Sequence, residues 1–168
     1  MTFFPQRGLF EPLPGGAFKA RNAIVTGDVT LGPEAGIWFG CVLRGDDAPL
    51  VIGARSNVQD LTMIHADPGA PNVIGEEVTI GHRCVLHGVR IGTGALIGMG
   101  AVLLSGTVIG EEALVAAGAV VREGFQVPDG TLVAGVPAKV IRALSADERK
   151  LFRASADGYV KKLRLYLS

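Results

Sequence analysis

Aliphatic side chains return at every sixth position along most of this chain. Ile91, Ile97, Leu103, Ile109, Val115 and Val121 keep the step unbroken. Upstream it links Val25, Leu31, Ile37 and Leu43, then Ile52, Val58 and Ile64, then Ile74, Ile80 and Leu86. Glycine often follows directly, as at Gly32, Gly53, Gly75, Gly81, Gly92, Gly98 and Gly110. A small residue usually stands four positions after the aliphatic: Ala35, Cys41, Ser56, Thr62, Cys84, Ala95, Ala101, Thr107, Ala113 and Ala119. A period of six is neither the helical 3.6 nor the simple alternation of a half-buried strand. It is the period of a parallel β-helix, in which each unit supplies one short strand and one turn and three units close a triangular coil of about 18 residues. The large aliphatic fills the interior, the small residue fits near a corner, and the glycine is expected to permit the turn. Stacked coils then bury one continuous core.

The step ends after "TLVAGVPAKVIR". Ser145 with Glu148 three residues later reads as a capping box that starts a helix. Phe152, Ala156, Tyr159, Leu163 and Tyr166 follow at helical spacing, predicting an amphipathic helix over about 146–166 whose apolar stripe packs on the outside of the β-helix. Gly158 weakens it by about 1 kcal/mol relative to alanine. The expected organisation is a β-helix domain over 1–142 and a C-terminal helix within 143–168. Residues 91–110 carry no charge and are about long enough to span a bilayer, but their six-residue spacing assigns them to coils.

Composition narrows the reading further. At 168 residues the chain is about one domain. Its 24 glycines, 48% hydrophobic residues and only 6% aromatics suit a core of small and aliphatic side chains. Lys plus Arg and Asp plus Glu balance at 16 each, so no net field points to nucleic acid or an anionic membrane as a partner. The start, "MTFFPQRGLFEPLPGG", has no basic segment followed by an apolar run, so no signal peptide is expected. Two cysteines are too few for a disulfide framework, and the cytoplasm is the expected compartment. Both cysteines occupy the small-residue slot, where packing is their expected role; Cys84, two residues from His82, is a lesser ligand candidate.

The chain has three histidines, two of them in "HRCVLH". The repeat phase locates them. Ile64 and Leu86 are 22 residues apart, one coil plus an inserted loop around "ADPGAP", so they stack on one side at the ~4.8 Å spacing of neighbouring strands. His65 follows Ile64 and His87 follows Leu86, so both should point outward from that face, close enough to share a metal ion. His82 follows Ile80 by two residues and belongs to the preceding side of the prism. One chain closes such a site with difficulty. A symmetric trimer would bring His82 of one subunit against His65 and His87 of its neighbour, giving three sites, each between subunits.

The segments "LRGDDAPLVIG", "NVQDLTMIH" and "VTIGHRCVLHGVRIGTGALIGMGAVL" resemble the γ-class carbonic anhydrases and their carbonic-anhydrase-like homologues, over residues from about 20 to 142. The resemblance implies a left-handed β-helix, a homotrimer, and reversible hydration of CO₂ to bicarbonate. It implies Zn²⁺, with Fe²⁺ or Co²⁺ as alternatives, bound by His65, His82 and His87 across the subunit interface. Arg44 and Asp46 match residues that form ion pairs between subunits near the site. Gln59 and Asp60 match a pair beside the metal, the glutamine being able to hydrogen-bond water or bicarbonate. Tyr159 corresponds to an active-site tyrosine. Three neutral imidazoles leave a divalent ion its full charge and an open position, where the pKa of water falls to about 7 and hydroxide can attack CO₂. The proton released then needs a shuttle. Well-studied members carry an acidic loop with a shuttling glutamate after the first histidine; this chain has only "ADPGAP", leaving Asp47 and Asp67 as the nearby acids. Two other readings share the repeat: a hexapeptide acyltransferase using one histidine as general base beside a coenzyme A groove, and a metal-binding scaffold with weak catalysis.

Overall fold

The computed structural model describes residues 8–167; the first seven residues, on which the signal-peptide expectation partly rests, lie outside that range. The six-residue step becomes a parallel β-helix with three ladders. The first face stacks Phe18–Ala20, Gly36–Ile37, Asn57–Val58, Thr79–Ile80, Leu96–Ile97, Leu114–Val115 and Thr131–Gly135. The second runs through Val42, Met63–His65, Val85–His87, Val102–Leu103 and Val120–Val121. The third runs through Leu50, Asn72–Ile74, Arg90–Ile91, Val108–Ile109 and Gln126–Val127. One long strand, Val42–Ile52, serves both the second and third faces. Antiparallel hairpins cover both ends: Phe10–Pro12 with Phe18–Ala20, and Thr131–Gly135 with Ala138–Ala143.

The aliphatic positions fill the interior: Ile37, Leu43, Ile52, Ile64, Ile74, Ile80, Leu86, Ile97 and Leu103 are all fully buried. So are the small residues at the corners. The polar ones among them spend their hydroxyls on the backbone of the next coil, Ser56 on Gly75 O (2.8 Å) and Thr62 on Gly81 O (3.0 Å). Burial pushes the Cys41 and Cys84 thiols up to about 11; both are free and act as small apolar groups. Residues 91–110 form strands and turns, and among the described residues no helix is long and apolar enough to cross a membrane.

The glycine that follows each aliphatic has a different role from the expected one. Gly75 and Gly81 do not have positive φ; a Cβ there would lie 2.8 Å from Thr93 N and 2.7 Å from Met99 N, so it is the close approach of the next coil that excludes a side chain. The left-handed corner residue comes two positions later, and it is often not glycine: Glu34, Arg55, Leu61, Glu77, Arg83 and Glu112 all have positive φ.

The C-terminal helix α1 spans Ala146–Leu167. Its capping box forms as the sequence indicates: Glu148 N donates to Ser145 Oγ (3.2 Å) and Ser145 N donates to Glu148 Oε2 (2.8 Å). The Arg142 guanidinium, with that backbone donor, pulls the Glu148 carboxyl down to about 2. Phe152, Ala156, Val160 and Leu163 are buried, with Val160 rather than Tyr159 on the inner line. Leu163 sits over Gly36, where a Cβ would be 2.7 Å from its Cδ1. Arg55 with Asp157, Arg164 with Glu34, and Arg149 and Arg153 with Glu112 tie the helix to one corner of the prism. A Cβ on Gly158 would meet nothing within 4 Å. Gly158→Ala is therefore expected to stabilise the protein by about 1 kcal/mol, read as a rise of about 2–4 °C in thermal midpoint.

Candidate metal centre

Two departures from the six-residue step flank His65. The ladder register jumps between Gly27 and Val29, where the partner strand pushes out a bulge that carries Asp46 and Asp47. The second insertion is the turn between His65 and Asn72, pinned by Asn72, whose Nδ2 donates to His65 O (2.8 Å) and whose Oδ1 accepts from Val89 N (2.9 Å). The bulge leans on His65: its Nε2 lies 3.0 Å from Asp47 Oδ2, 3.2 Å from Asp46 Oδ1 and 3.0 Å from Arg44 Nη2. Nε2 thus meets two carboxylates, which accept, and one guanidinium, which donates, while Nδ1 is the nitrogen turned away from this cluster. Arg44 Nε also pairs with Asp46 Oδ2 at 3.4 Å, so this ion pair already exists within one chain.

His87 stacks directly on His65, the register the 22-residue step implies. Its Nδ1 is 3.0 Å from Ser105 Oγ, and that hydroxyl donates to Asp67 Oδ2 at 3.2 Å. His87 Nε2 faces His65 Nδ1 across 3.3 Å. With the other nitrogen of each ring engaged by neighbouring side chains, the two nitrogens that face each other are the ones a cation between the rings would use. The spacing also suits one. Ligand nitrogens about 2.0–2.1 Å from a tetrahedral zinc ion stand about 3.3 Å apart.

His82 lies elsewhere. It follows Gly81 on the first face, and its Nδ1 pairs with Asp60 Oδ2 at 2.8 Å, again leaving one nitrogen free. Asp60 is itself held by Phe39 N (3.1 Å). Beside it, Gln59 is buried, and its Nε2 donates to Asn57 Oδ1 (3.1 Å) while Asn57 Nδ2 donates to Thr79 Oγ1 (3.0 Å). This chain of bonds engages the Gln59 amide nitrogen and leaves its carbonyl oxygen as the acceptor of that side chain. Tyr159 of α1 packs edge-on against Trp38, ring centroids 5.1 Å apart, with the Lys162 ammonium 4.6 Å from its ring centre. Burial and then the Asp60 charge raise its phenol pKa, so it stays protonated at neutral pH. Gln59 and His82 open onto a groove of about 470 Å³ floored by Gly81, Gly98, Ala116 and Ala117, with Met99 at its side. Met99 is well exposed there for an apolar residue.

The predicted site residues thus fall into two groups within one chain. Arg44, Asp46, Asp47, His65 and His87 cluster on the second face. Gln59, Asp60, His82 and Tyr159 gather along the first. Among the described residues, the only set of three or more His, Cys, Asp or Glu donors within 4.8 Å of one another is Asp46, Asp47 and His65, so His82 does not join the histidine pair of its own chain. Each histidine nevertheless has one ring nitrogen held by an acidic or hydroxyl group and one free, the pattern that orients metal-binding imidazoles. Three supporting residues escaped the sequence reading. Ser105 lies 18 residues after His87, one coil on, and that step could have found it. Asn57 and Thr79 are 22 residues apart and pair across coils.

Comparison with known proteins agrees with the hexapeptide repeat and with the family resemblance. The family model for bacterial transferase hexapeptide (six repeats) matches residues 73–105 and 88–123. A carbonic anhydrase of Geobacillus kaustophilus is 45% identical over 163 residues, covering 97% of this chain and 90% of its own. The mitochondrial gamma carbonic anhydrase 3 of Arabidopsis thaliana is 49% identical over 160 residues, 90% of this chain and 62% of the plant protein. The crystal structure of a hexapeptide transferase family protein from Anaplasma phagocytophilum superposes with a TM-score of 0.81 at 37% identity, covering 89% of this chain and 92% of that one.

Proposed function

Since the chain belongs to the γ-class carbonic anhydrase family of hexapeptide-repeat proteins, we propose that it catalyses reversible hydration of CO₂ to bicarbonate at metal sites shared between subunits of a homotrimer. His65 and His87 of one copy, with His82 of the next, hold the ion, Zn²⁺ in the first instance and Fe²⁺ or Co²⁺ as alternatives. The observation that carries this reading is the pair of free nitrogens facing each other at 3.3 Å, each ring fixed from behind. A divalent ion bound there supplies a Lewis acid that makes water a competent nucleophile at neutral pH.

The chain's own residues do the rest. Asp60 fixes the His82 ring, and the carbonyl of Gln59, which lines the groove beside it, accepts a hydrogen bond from the hydroxyl of water or bicarbonate. The apolar first-face groove, with Met99 exposed at its side, supplies the surface against which a second copy packs. Hydration of CO₂ yields bicarbonate and one proton, and Asp47 and Asp67, both open to solvent, are the acceptors through which that proton leaves.

Purified protein is expected to carry one ion per subunit, and chelation is expected to abolish hydration, which added Zn²⁺, Fe²⁺ or Co²⁺ restores. Hydration that survives complete metal removal would refute the reading. A solved Bacillus cereus relative, 44% identical and covering 88% of this chain, bears the name "putative acetyltransferase" and favours a second reading, acyl transfer from coenzyme A with one histidine as base. Acetyl transfer that is insensitive to chelation would select that reading instead.

A further inference from the structure

We propose that Ser105 is the positioning residue that fixes the His87 tautomer and so readies the histidine pair for its ion; the second half of this statement rests on the metal-site reading above. The inference comes from the direction of the hydrogen bonds. Asp67, on the turn after His65, is a carboxylate and only accepts. The single O–H of Ser105 is committed to Asp67 Oδ2 at 3.2 Å. Ser105 Oγ can therefore meet His87 Nδ1, 3.0 Å away, only as an acceptor. His87 must donate from Nδ1, and its Nε2 is left with a lone pair aimed at His65 Nδ1.

Asp67 cannot do this without the serine. Its oxygen is 3.6 Å from His87 Nδ1, beyond a normal hydrogen bond. The turn that bears it is held in place, with Ala70 N donating to Asp67 O (3.0 Å) and Asn72 clamping its far end. The short loop thus turns its one acid inward through Ser105 to set the polarity of a histidine. Without the hydroxyl, the His87 proton is free to move to Nε2 and cover the lone pair that the ion requires.

The test reads the ring nitrogens of metal-free protein by long-range ¹⁵N–¹H NMR, and Zn²⁺ affinity by competition with a chromogenic chelator. Wild-type His87 is expected to carry its proton on Nδ1. Ser105→Ala is expected to shift it toward Nε2 and to weaken Zn²⁺ binding about 10- to 100-fold. Ser105→Thr keeps the hydroxyl and should restore both readouts to near wild type, which separates the hydrogen bond from a mere packing effect. A Ser105→Ala protein that keeps the Nδ1–H tautomer would overturn the proposal, as would failure of threonine to rescue. A tautomer shift in a protein whose wild type binds no Zn²⁺ would support the Ser105 assignment while refuting the metal-site reading.

Discussion

Alanine at His65 or at His87 is expected to take bound metal from one ion per subunit to none while the β-helix stays folded. Both rings lie outside the aliphatic stack: the core positions before them, Ile64 and Leu86, are fully buried, while the His65 and His87 side chains keep 15% and 27% of their exposure. Removing either ring leaves one imidazole on that face, which cannot complete a three-nitrogen site. The cost in fold stability should stay near the ~1 kcal/mol of an ordinary point substitution, because polar partners of the rings are lost while the aliphatic stack is untouched. Metal analysis beside a thermal melt checks this. Collapse of the melt would show that these histidines hold the solenoid together instead.

The second large effect concerns turnover. Hydration is expected to be measurable but limited by proton release, because the turn after His65 offers Asp67 where longer acidic loops would offer a shuttle. Adding an imidazole-type buffer should raise turnover on the order of tenfold, less than the 10²-fold or more that a well-placed general base contributes. A mobile base carries the proton that Asp47 and Asp67 hand on slowly. The check is a rate series against buffer concentration with zinc-loaded and iron-loaded protein. Metal-replete protein with no hydration at any buffer concentration would remove carbonic anhydrase activity from consideration.

The repeat made most of the fold readable. A six-residue step that recurs in blocks between Val25 and Val121 tells which side chains face inward, and the 22-residue offset between blocks gives the register that stacks His87 on His65. The corners were less readable. Glycine after each aliphatic looked like a turn signal, yet Gly75 and Gly81 are small because a neighbouring coil passes close, and the strained corner position carries Arg55, Leu61 or Glu77 with no compositional mark. The helix was legible as an amphipathic segment, but its seat was not, since the ion pairs of Asp157 with Arg55 and Arg164 with Glu34 join residues more than 100 positions apart. Within the site, the histidines announced themselves by rarity. Ser105 and Thr79 did not, because one serine or threonine among many acquires its role only from the side chain that stacks above it.

The decisive measurement concerns where His82 acts. Two variants, His82→Ala and the double variant His65→Ala/His87→Ala, are each expected to trimerise without binding metal. Co-expressed with different tags and purified for mixed trimers, they should regain one ion per trimer. Every mixed trimer has one interface that joins an intact His65–His87 pair to an intact His82, and hydration activity should return with that ion. Mixed trimers that stay metal-free, or a monomer that binds the ion through all three of its own histidines, would contradict a site built between subunits.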